Sequence, residues 1–258
     1  MHKNVKSLSK LLISYHTPLA TMFVMLLLIV ISAYVIFLGS NIYGSPSSNQ
    51  EWKNSFNLDD CKLSPNGSNS YFILEPGYQL VLEGQEDGAQ IQLKITVLNE
   101  TKIVNGTEAR VVEEVETEDG EIVEISKNWF VVCKPVNDIF YLGEEVDIYE
   151  DGKIVNHEGA WEAGVNDATL GMVMPGKAAV GQKYYQEFAP KVAEDRAEIV
   201  GMDKVIDTPA GKFEKVLETE ETNALKPDEK ESKFYAPGVG LIQEETLKLV
   251  RYANATSN

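Results

Sequence analysis

YQLVLEGQEDGAQIQLKITV, residues Tyr78–Val97, carries its apolar side chains on alternate positions. Tyr78, Leu80 and Leu82 alternate with Gln79 and Glu83; after the break EGQEDG, Ile91, Leu93, Ile95 and Val97 alternate with Gln92, Lys94 and Thr96. A period of two sends successive side chains to opposite faces, so each half reads as a half-buried strand and the polar break as their turn. Turn signals recur at Asn105-Gly106, Asp119-Gly120, Asp151-Gly152, the Pro209-Ala210-Gly211 corner and Gly238-Val239-Gly240. Short turns of this chemistry join antiparallel neighbours. Further strands read at AEIVGMDKVI, KFEKVLETE, KESKFYAP, GLIQEET and LKLVRYA. The expectation is a mainly β fold: a large antiparallel sheet, strongly curved or barrel-like, because long open edges invite aggregation.

One stretch breaks this rhythm. Trp161 to Pro190 contains Gly164, Gly171, Pro175, Gly176, Gly181 and Pro190 and reads as one long irregular insertion with room for a short helix. Segments of this length inside a compact domain are often functional.

Upstream, Leu19–Gly39 is an uninterrupted apolar run, LATMFVMLLLIVISAYVIFLG, of 21 residues without a charge. At about 1.5 Å per residue a helix of that length crosses the roughly 30 Å hydrocarbon core of a bilayer. It is too long for a signal-peptide core, and no Ala-x-Ala site follows it. Lys3, Lys6 and Lys10 precede it and no acidic residue occurs before Glu51, which places the N-terminus in the cytoplasm and the rest of the chain outside. The expected organisation is a cytoplasmic N-terminus over 1–18, a transmembrane anchor over 19–39, a flexible stalk over 40–70, an exported antiparallel β domain over 71–253 and a tail over 254–258. The stalk assignment follows from composition: Asn41–Ser70 is more than half Gly, Pro, Ser and Asn.

The chain has 23 basic and 40 acidic residues, and three of the lysines precede the anchor, so the exported part carries a net −20. Such a surface repels phosphate backbones, which excludes nucleic acid as a partner. Cys61 and Cys133 are the two cysteines. Both fall on the exported side, where a disulfide persists; closing that loop would contribute roughly 3–4 kcal/mol. The alternative is a buried thiol at Cys133 in the apolar strand WFVVC and a free Cys61. Sequons at Asn66, Asn99, Asn105 and Asn254 offer N-glycosylation in a secretory context.

The phrases LEPGYQLVLEG, YLGEEVDIYEDGKIV, WEAGVNDA, GMVMPG, GQKYYQEFAPKVAEDRAEIV and YAPGVGLIQEE, taken in order, resemble a family of uncharacterised exported bacterial and archaeal proteins, many of them lipoprotein-like. The resemblance runs from Tyr71 to Glu245 and implies a shared exported β domain, with no reaction or ligand attached. Here a transmembrane run stands in place of a lipid-modified cysteine, and Cys133 occupies a position where the family pattern has an acid. The closing YAPGVGLIQEE also resembles curved-sheet proteins of the lipoprotein-carrier type, an analogy of fold alone.

Chemistry-bearing motifs are few. The exported part has a single histidine, His157, and no G-x-S-x-G or G-x-x-x-x-G-K-[ST] motif, so imidazole-rich metal sites and the usual hydrolase and nucleotide signatures are absent. No cofactor is expected. DIYEDGKIVNHE places Asp147, Asp151 and Glu158 at positions 1, 5 and 12 of a calcium-loop spacing, but Tyr149 stands where an oxygen ligand belongs and a hairpin at Asp151-Gly152 explains the same residues. Glu187 with Glu194 or Asp195, near Trp161, Tyr184 and Tyr185, would suit acid and base work on a carbohydrate. Trp161, Tyr184, Tyr185 and Phe188 would equally serve as a ligand mouth or as core. Met172 and Met174 with Cys133 or His157 are soft donors for copper(I), though core packing is their commoner role. The functional expectation is a membrane-anchored domain at the cell surface with a non-enzymatic binding or structural role. Its partner is a surface protein or an apolar or amphipathic ligand held inside the curved sheet; the alternatives are an acidic-residue hydrolase and a calcium-stabilised surface domain.

Overall fold

The computed structural model of the 258-residue chain describes residues 51–254, with side chains described to residue 253. The expected anchor, residues 40–50 of the expected stalk and residues 255–258 lie outside the described residues. Among the described residues no helix is long and apolar enough to cross a membrane.

Short strands come first: β1 (Lys62–Ser64), β2 (Gly67–Ser68) and β3 (Ile73–Leu74). A long meander follows, β4 (Tyr78–Glu86), β5 (Ala89–Val104), β6 (Thr107–Glu118), β7 (Glu121–Lys134) and β8 (Asp138–Glu150). Short pieces β9 (Lys153–Asn156), β10 (Trp161–Glu162), β11 (Gly171–Met174) and β12 (Lys183–Tyr185) lead into a second meander of β13 (Asp195–Thr208), β14 (Gly211–Asn223), β15 (Lys226–Ala236), β16 (Gly240–Glu244) and β17 (Leu247–Asn254).

The turn chemistry accounts for the meander. Asp87-Gly88, Asn105-Gly106, Asp119-Gly120 and Asp151-Gly152 all have positive φ at both positions, from 45 to 91°. That is the conformation whose twist matches paired strands, and Asn-Gly and Asp-Gly adopt it most readily. Each pair therefore closes a two-residue hairpin. β17 returns to pair with β4, Leu249 opposite Leu82, and fuses both meanders into one 15-stranded sheet. Its order is β10-β8-β7-β6-β5-β4-β17-β16-β15-β14-β13-β12, with every named ladder antiparallel.

The irregular insertion draws the two ends of this sheet together. β11 pairs with β8 and β12 with β13, and the Thr169 amide donates to the Phe188 carbonyl at 2.9 Å. Gly171 sits so close to Gln186 that a Cβ there would lie 2.0 Å from its carbonyl oxygen. The sheet is thus a deep cup; the named ladder does not run continuously from β12 back to β8, so a closed barrel is not formed. The short helix expected in the insertion is replaced by bends and strand fragments, because its glycines and prolines fall too often for a helical turn to propagate.

Residues 51–70, expected to be stalk, belong to the folded domain. Lys53 pairs with β12, donating to the Lys183 carbonyl at 3.1 Å and accepting from the Tyr185 amide at 2.9 Å. Phe56 packs edge-on against Phe140, β1 pairs with β7, and Cys61 is disulfide-bonded to Cys133. Composition averaged over the segment hides these few anchors, Phe56, Leu58, Leu63 and Cys61, which all pack on the core. In β7 the run Trp129–Cys133 is buried at every position instead of alternating. The sequon residues Asn66, Asn99 and Asn105 are exposed, and the side chain of Asn254 lies outside the described residues.

Candidate functional site

Direct cross-strand partners share a face of a sheet, so the register identifies what looks into the cup. On one wall Ile95, Glu114 and Ser126 are aligned across β5, β6 and β7; the next rows are Leu93, Glu116 and Glu124, then Val97, Val112 and Asn128. On the facing wall Ala197, Glu221 and Glu231 align across β13, β14 and β15, beside Ile199, Thr219, Lys233 and Glu244. Asp195 is opposite Asn223. Between the walls lies a cavity of about 340 Å³ whose apolar lining includes Leu80, Leu93, Ile95, Tyr235 and Leu241. That volume lies in the range of small-molecule pockets.

Much of the cavity lining is acidic: Glu114, Glu116, Glu124, Glu144, Glu187, Asp195, Glu221, Glu231 and Glu244 all face it. Lys233 is held among three carboxylates, 3.0 Å from Glu244, 3.4 Å from Glu221 and 3.9 Å from Glu231. Thr219 and Gln186 also donate to Glu221, each at 3.0 Å. Burial opposes the Lys233 charge, but the surrounding carboxylates outweigh it and hold the ammonium well above its ordinary value. Burial likewise opposes the charge on Glu244, and Lys233 overrides it, keeping that carboxyl below the usual range.

The other acids respond in the opposite direction. Burial, reinforced by Glu124 and Glu244, pushes Glu116 up to about 9. Burial with Glu244 nearby takes Glu114 to about 7, and burial with Glu124 and Glu114 takes Glu144 to about 8. Glu231 reaches about 10, its desolvation exceeding the help of Lys233. Near neutral pH the cavity therefore holds a set of protonated carboxyls, because a low-dielectric site cannot carry so many like charges.

Glu187 and Asp195 are brought together in the structure. The Ala189–Ala193 bridge folds the chain back, and the Gln186 and Glu187 amides both donate to the Asp195 carbonyl, at 2.8 and 3.2 Å. Their carboxyls share a hydrogen bond; burial first and this neighbour second hold Glu187 well above its ordinary range. Asn223 donates to Asp195 at 2.9 Å. Glu194 instead caps the backbone of Lys191 at 3.0 Å.

The three aromatic candidates do not form one mouth. Tyr184 is buried and faces inward opposite Ala197. Tyr185 turns the other way and stacks edge-on with Phe188, while Trp161 packs edge-on against Tyr141. Asp147 pairs with His157 at 2.9 Å, Asp151 sits in the β8–β9 turn, and Glu158 reaches the cavity rim. These residues form the hairpin that the Asp151-Gly152 signal implied, with Glu150 opposite Lys153. Among the described residues no group of three His, Cys, Asp or Glu is arranged to hold a metal ion. The disulfide removes Cys133 as a soft thiolate donor beside Met172 and Met174. The cavity residues that sequence reasoning missed, Glu114, Glu116, Glu144, Glu221, Glu231, Lys233 and Glu244, mostly sit beside other polar residues, as in Glu113-Glu114, Glu220-Glu221 and Glu244-Glu245, so nothing local marks the inward one.

No family model matches this sequence, and no curated protein matches it. Among solved structures the chain is similar to a crystal structure described as "a putative lipoprotein from Parabacteroides distasonis ATCC 8503", at 14% identity, covering 73% of this chain and 100% of that one with a TM-score of 0.36. A likeness at that score carries no argument about function.

Proposed function

We propose that this chain is a membrane-anchored extracytoplasmic β domain that binds a small amphipathic ligand, without catalysis, inside the cup. The observation that carries this reading is the 340 Å³ cavity, lined by both apolar and acidic side chains, the mixed lining that suits a ligand with apolar and polar parts. The anchor reading is supported by the apolar run Leu19–Gly39. The Cys61–Cys133 bridge is in keeping with an oxidising compartment outside the cytoplasm.

The hydrolase alternative centres on Glu187 and Asp195. Glycosidases separate their two carboxyls by about 5–9.5 Å so that the sugar and water fit between them. Here the two are directly hydrogen-bonded, which favours a structural, proton-sharing pair.

Native mass spectrometry of the full chain taken from its own membrane tests the binding reading. The expected result is a reproducible added mass that disappears when Ser126→Trp fills the cavity. An added mass that survives Ser126→Trp, or a bare polypeptide mass, overturns it.

A further inference from the structure

Resting on the membrane-anchor reading, we propose that one edge of the cup sits on the bilayer: Val180 enters the headgroup region, and the Arg196 guanidinium, clasped by Trp52 and Tyr185, takes the phosphate of a phospholipid.

Three observations converge on this edge. The first is how the chain reaches the domain. Eleven residues, 40–50, separate the end of the apolar run at Gly39 from Glu51, and fully extended they span no more than about 40 Å. Lys53 then joins the outer edge of β12 in a parallel bridge to Tyr184, donating to the Lys183 carbonyl at 3.1 Å and accepting from the Tyr185 amide at 2.9 Å. The parallel sense of this bridge aims Trp52 and Glu51 back along β12 toward its start and the turn that precedes it. The sheet is thus fastened to its tether at this edge, the part of the domain held nearest the membrane.

The second is a guanidinium with donors to spare. Arg196 is opposite Tyr185 on the outward face of the sheet, 4.6 Å from the Trp52 ring and 5.9 Å from the Tyr185 ring. Its Nε donates to Thr222 Oγ1 at 3.3 Å, while its two terminal nitrogens have no hydrogen-bond or carboxylate partner among the described residues. Arg110 shows the contrast: its nitrogens are bonded to Pro65, Leu98, Glu100 and Asn66. The carboxylate nearest in the strand on the same face, Glu198, is already paired with Lys183 at 3.0 Å. Two aromatic faces hold the planar cation, and its open N–H groups form the fork that phosphate oxygens fit.

The third is an apolar tip at the same place. Gln182 donates its amide to the Ala179 carbonyl at 3.2 Å, and Gly181 takes φ 90°, the conformation that a tight turn requires of a glycine there. The Gly181 amide donates to the Ile199 carbonyl at 2.7 Å and pins this turn to β13. Val180 stands at the tip, 61% exposed, with Lys177 exposed behind it. A lone exposed valine is ordinary on a protein surface. Beside a tether, a tryptophan and a guanidinium, it completes the apolar, aromatic and basic set that membrane interfaces favour. The strongly acidic remainder of the exported part is repelled by anionic headgroups, so this edge is the one that a phospholipid surface accepts.

The test is tryptophan fluorescence of the full chain in phospholipid nanodiscs that contain a lipid with a nitroxide on its headgroup, a short-range quencher. Trp129 and Trp161 are 2% and 6% exposed, so Trp52 reports the edge. Quenching is expected in the unaltered chain and absent in Trp52→Phe. Arg196→Gln should cut it at least about threefold by removing the charged phosphate contact. Val180→Asp, on an exposed turn, should also weaken it in a chain with an unaltered circular dichroism spectrum. Quenching that stays complete in both variants shows that the tether alone brings Trp52 near the lipid, and overturns the contact. No quenching in a chain that co-elutes with the discs overturns it too; shielding of Trp52 from aqueous acrylamide would then assign the edge to upstream residues or a second copy. A chain that does not co-elute with the discs overturns the anchor reading, and this inference with it.

Discussion

The Lys233 ammonium lies 3.0 Å from Glu244 Oε1, joining β15 to β16 across the concave face of the sheet. This contact keeps one carboxylate ionised in a cavity where burial protonates most of the others. Removing one partner of a buried pair costs more than the pair contributes, because the survivor stays desolvated and uncompensated. Lys233→Met is therefore expected to destabilise the domain by about 3–5 kcal/mol at pH 8. At pH 5, where Glu244 can take up a proton once the ammonium is gone, the loss should be clearly smaller. Urea titrations at the two pH values measure both; equal losses would refute the electrostatic account.

The raised carboxyls couple stability to pH with a definite sign. Glu116 loses its proton near the ordinary value of 4.5 in the unfolded chain and at about 9 in the folded one. Between those values the folded state binds the extra proton, so the stabilisation is fully present below pH 4.5 and is lost as pH rises through 9. Glu114, Glu144 and Glu231, at about 7, 8 and 10, act in the same direction. Each such group removes on the order of 1.4 kcal/mol per pH unit within its window. Urea midpoints should fall steadily from pH 6 to pH 9, and Glu116→Gln should flatten that slope. A midpoint that rises with pH contradicts the buried-acid assignment.

The disulfide ties the segment before β1 to the end of β7 across a sequence separation of 72 residues. Closing a loop of that length restricts the unfolded chain by about 4 kcal/mol. Cys61→Ser with Cys133→Ser is expected to lower stability by about that amount, read from urea unfolding. Non-reducing peptide mapping of the unaltered chain should recover the linked pair.

Gly171 allows β11 to approach the Gln186 carbonyl, where a Cβ would sit 2.0 Å from the oxygen and 2.4 Å from its carbon. Backbone atoms offer no rotamer escape, so Gly171→Ala must part the strands that draw the ends of the cup together. A loss of about 2–3 kcal/mol is expected. Faster amide exchange should be confined to β11, β12 and the Thr169–Phe188 bridge; uniform exchange across the sheet would show that the contact does not hold the ends.

Much of the architecture was legible because its determinants are local. Asp87-Gly88 and Asn105-Gly106 announce their hairpins in two residues each, and the Tyr78–Val97 alternation states which side chains share a face. The Glu187–Asp195 pair was within reach for the same reason, being separated by one short fold-back. The ordered segment over residues 51–70 was not, since its stability comes from Phe56 meeting Phe140 and Cys61 meeting Cys133, partners remote in sequence.

The acidic cavity shows where local information ends. Glu220 and Glu221 are adjacent and chemically identical, yet Glu220 pairs outward with Lys230 at 2.6 Å while Glu221 faces Lys233 inside. Glu113 and Glu114 divide in the same way, Glu113 opposite Lys127 and Glu114 in the cavity wall. By itself the sequence determined that these stretches are strands, where they turn and that neighbours run antiparallel, because period and turn chemistry act over a few residues. Only the tertiary structure decided which of two neighbouring glutamates is buried, because a sheet has two equivalent faces until its curvature makes one of them the inside.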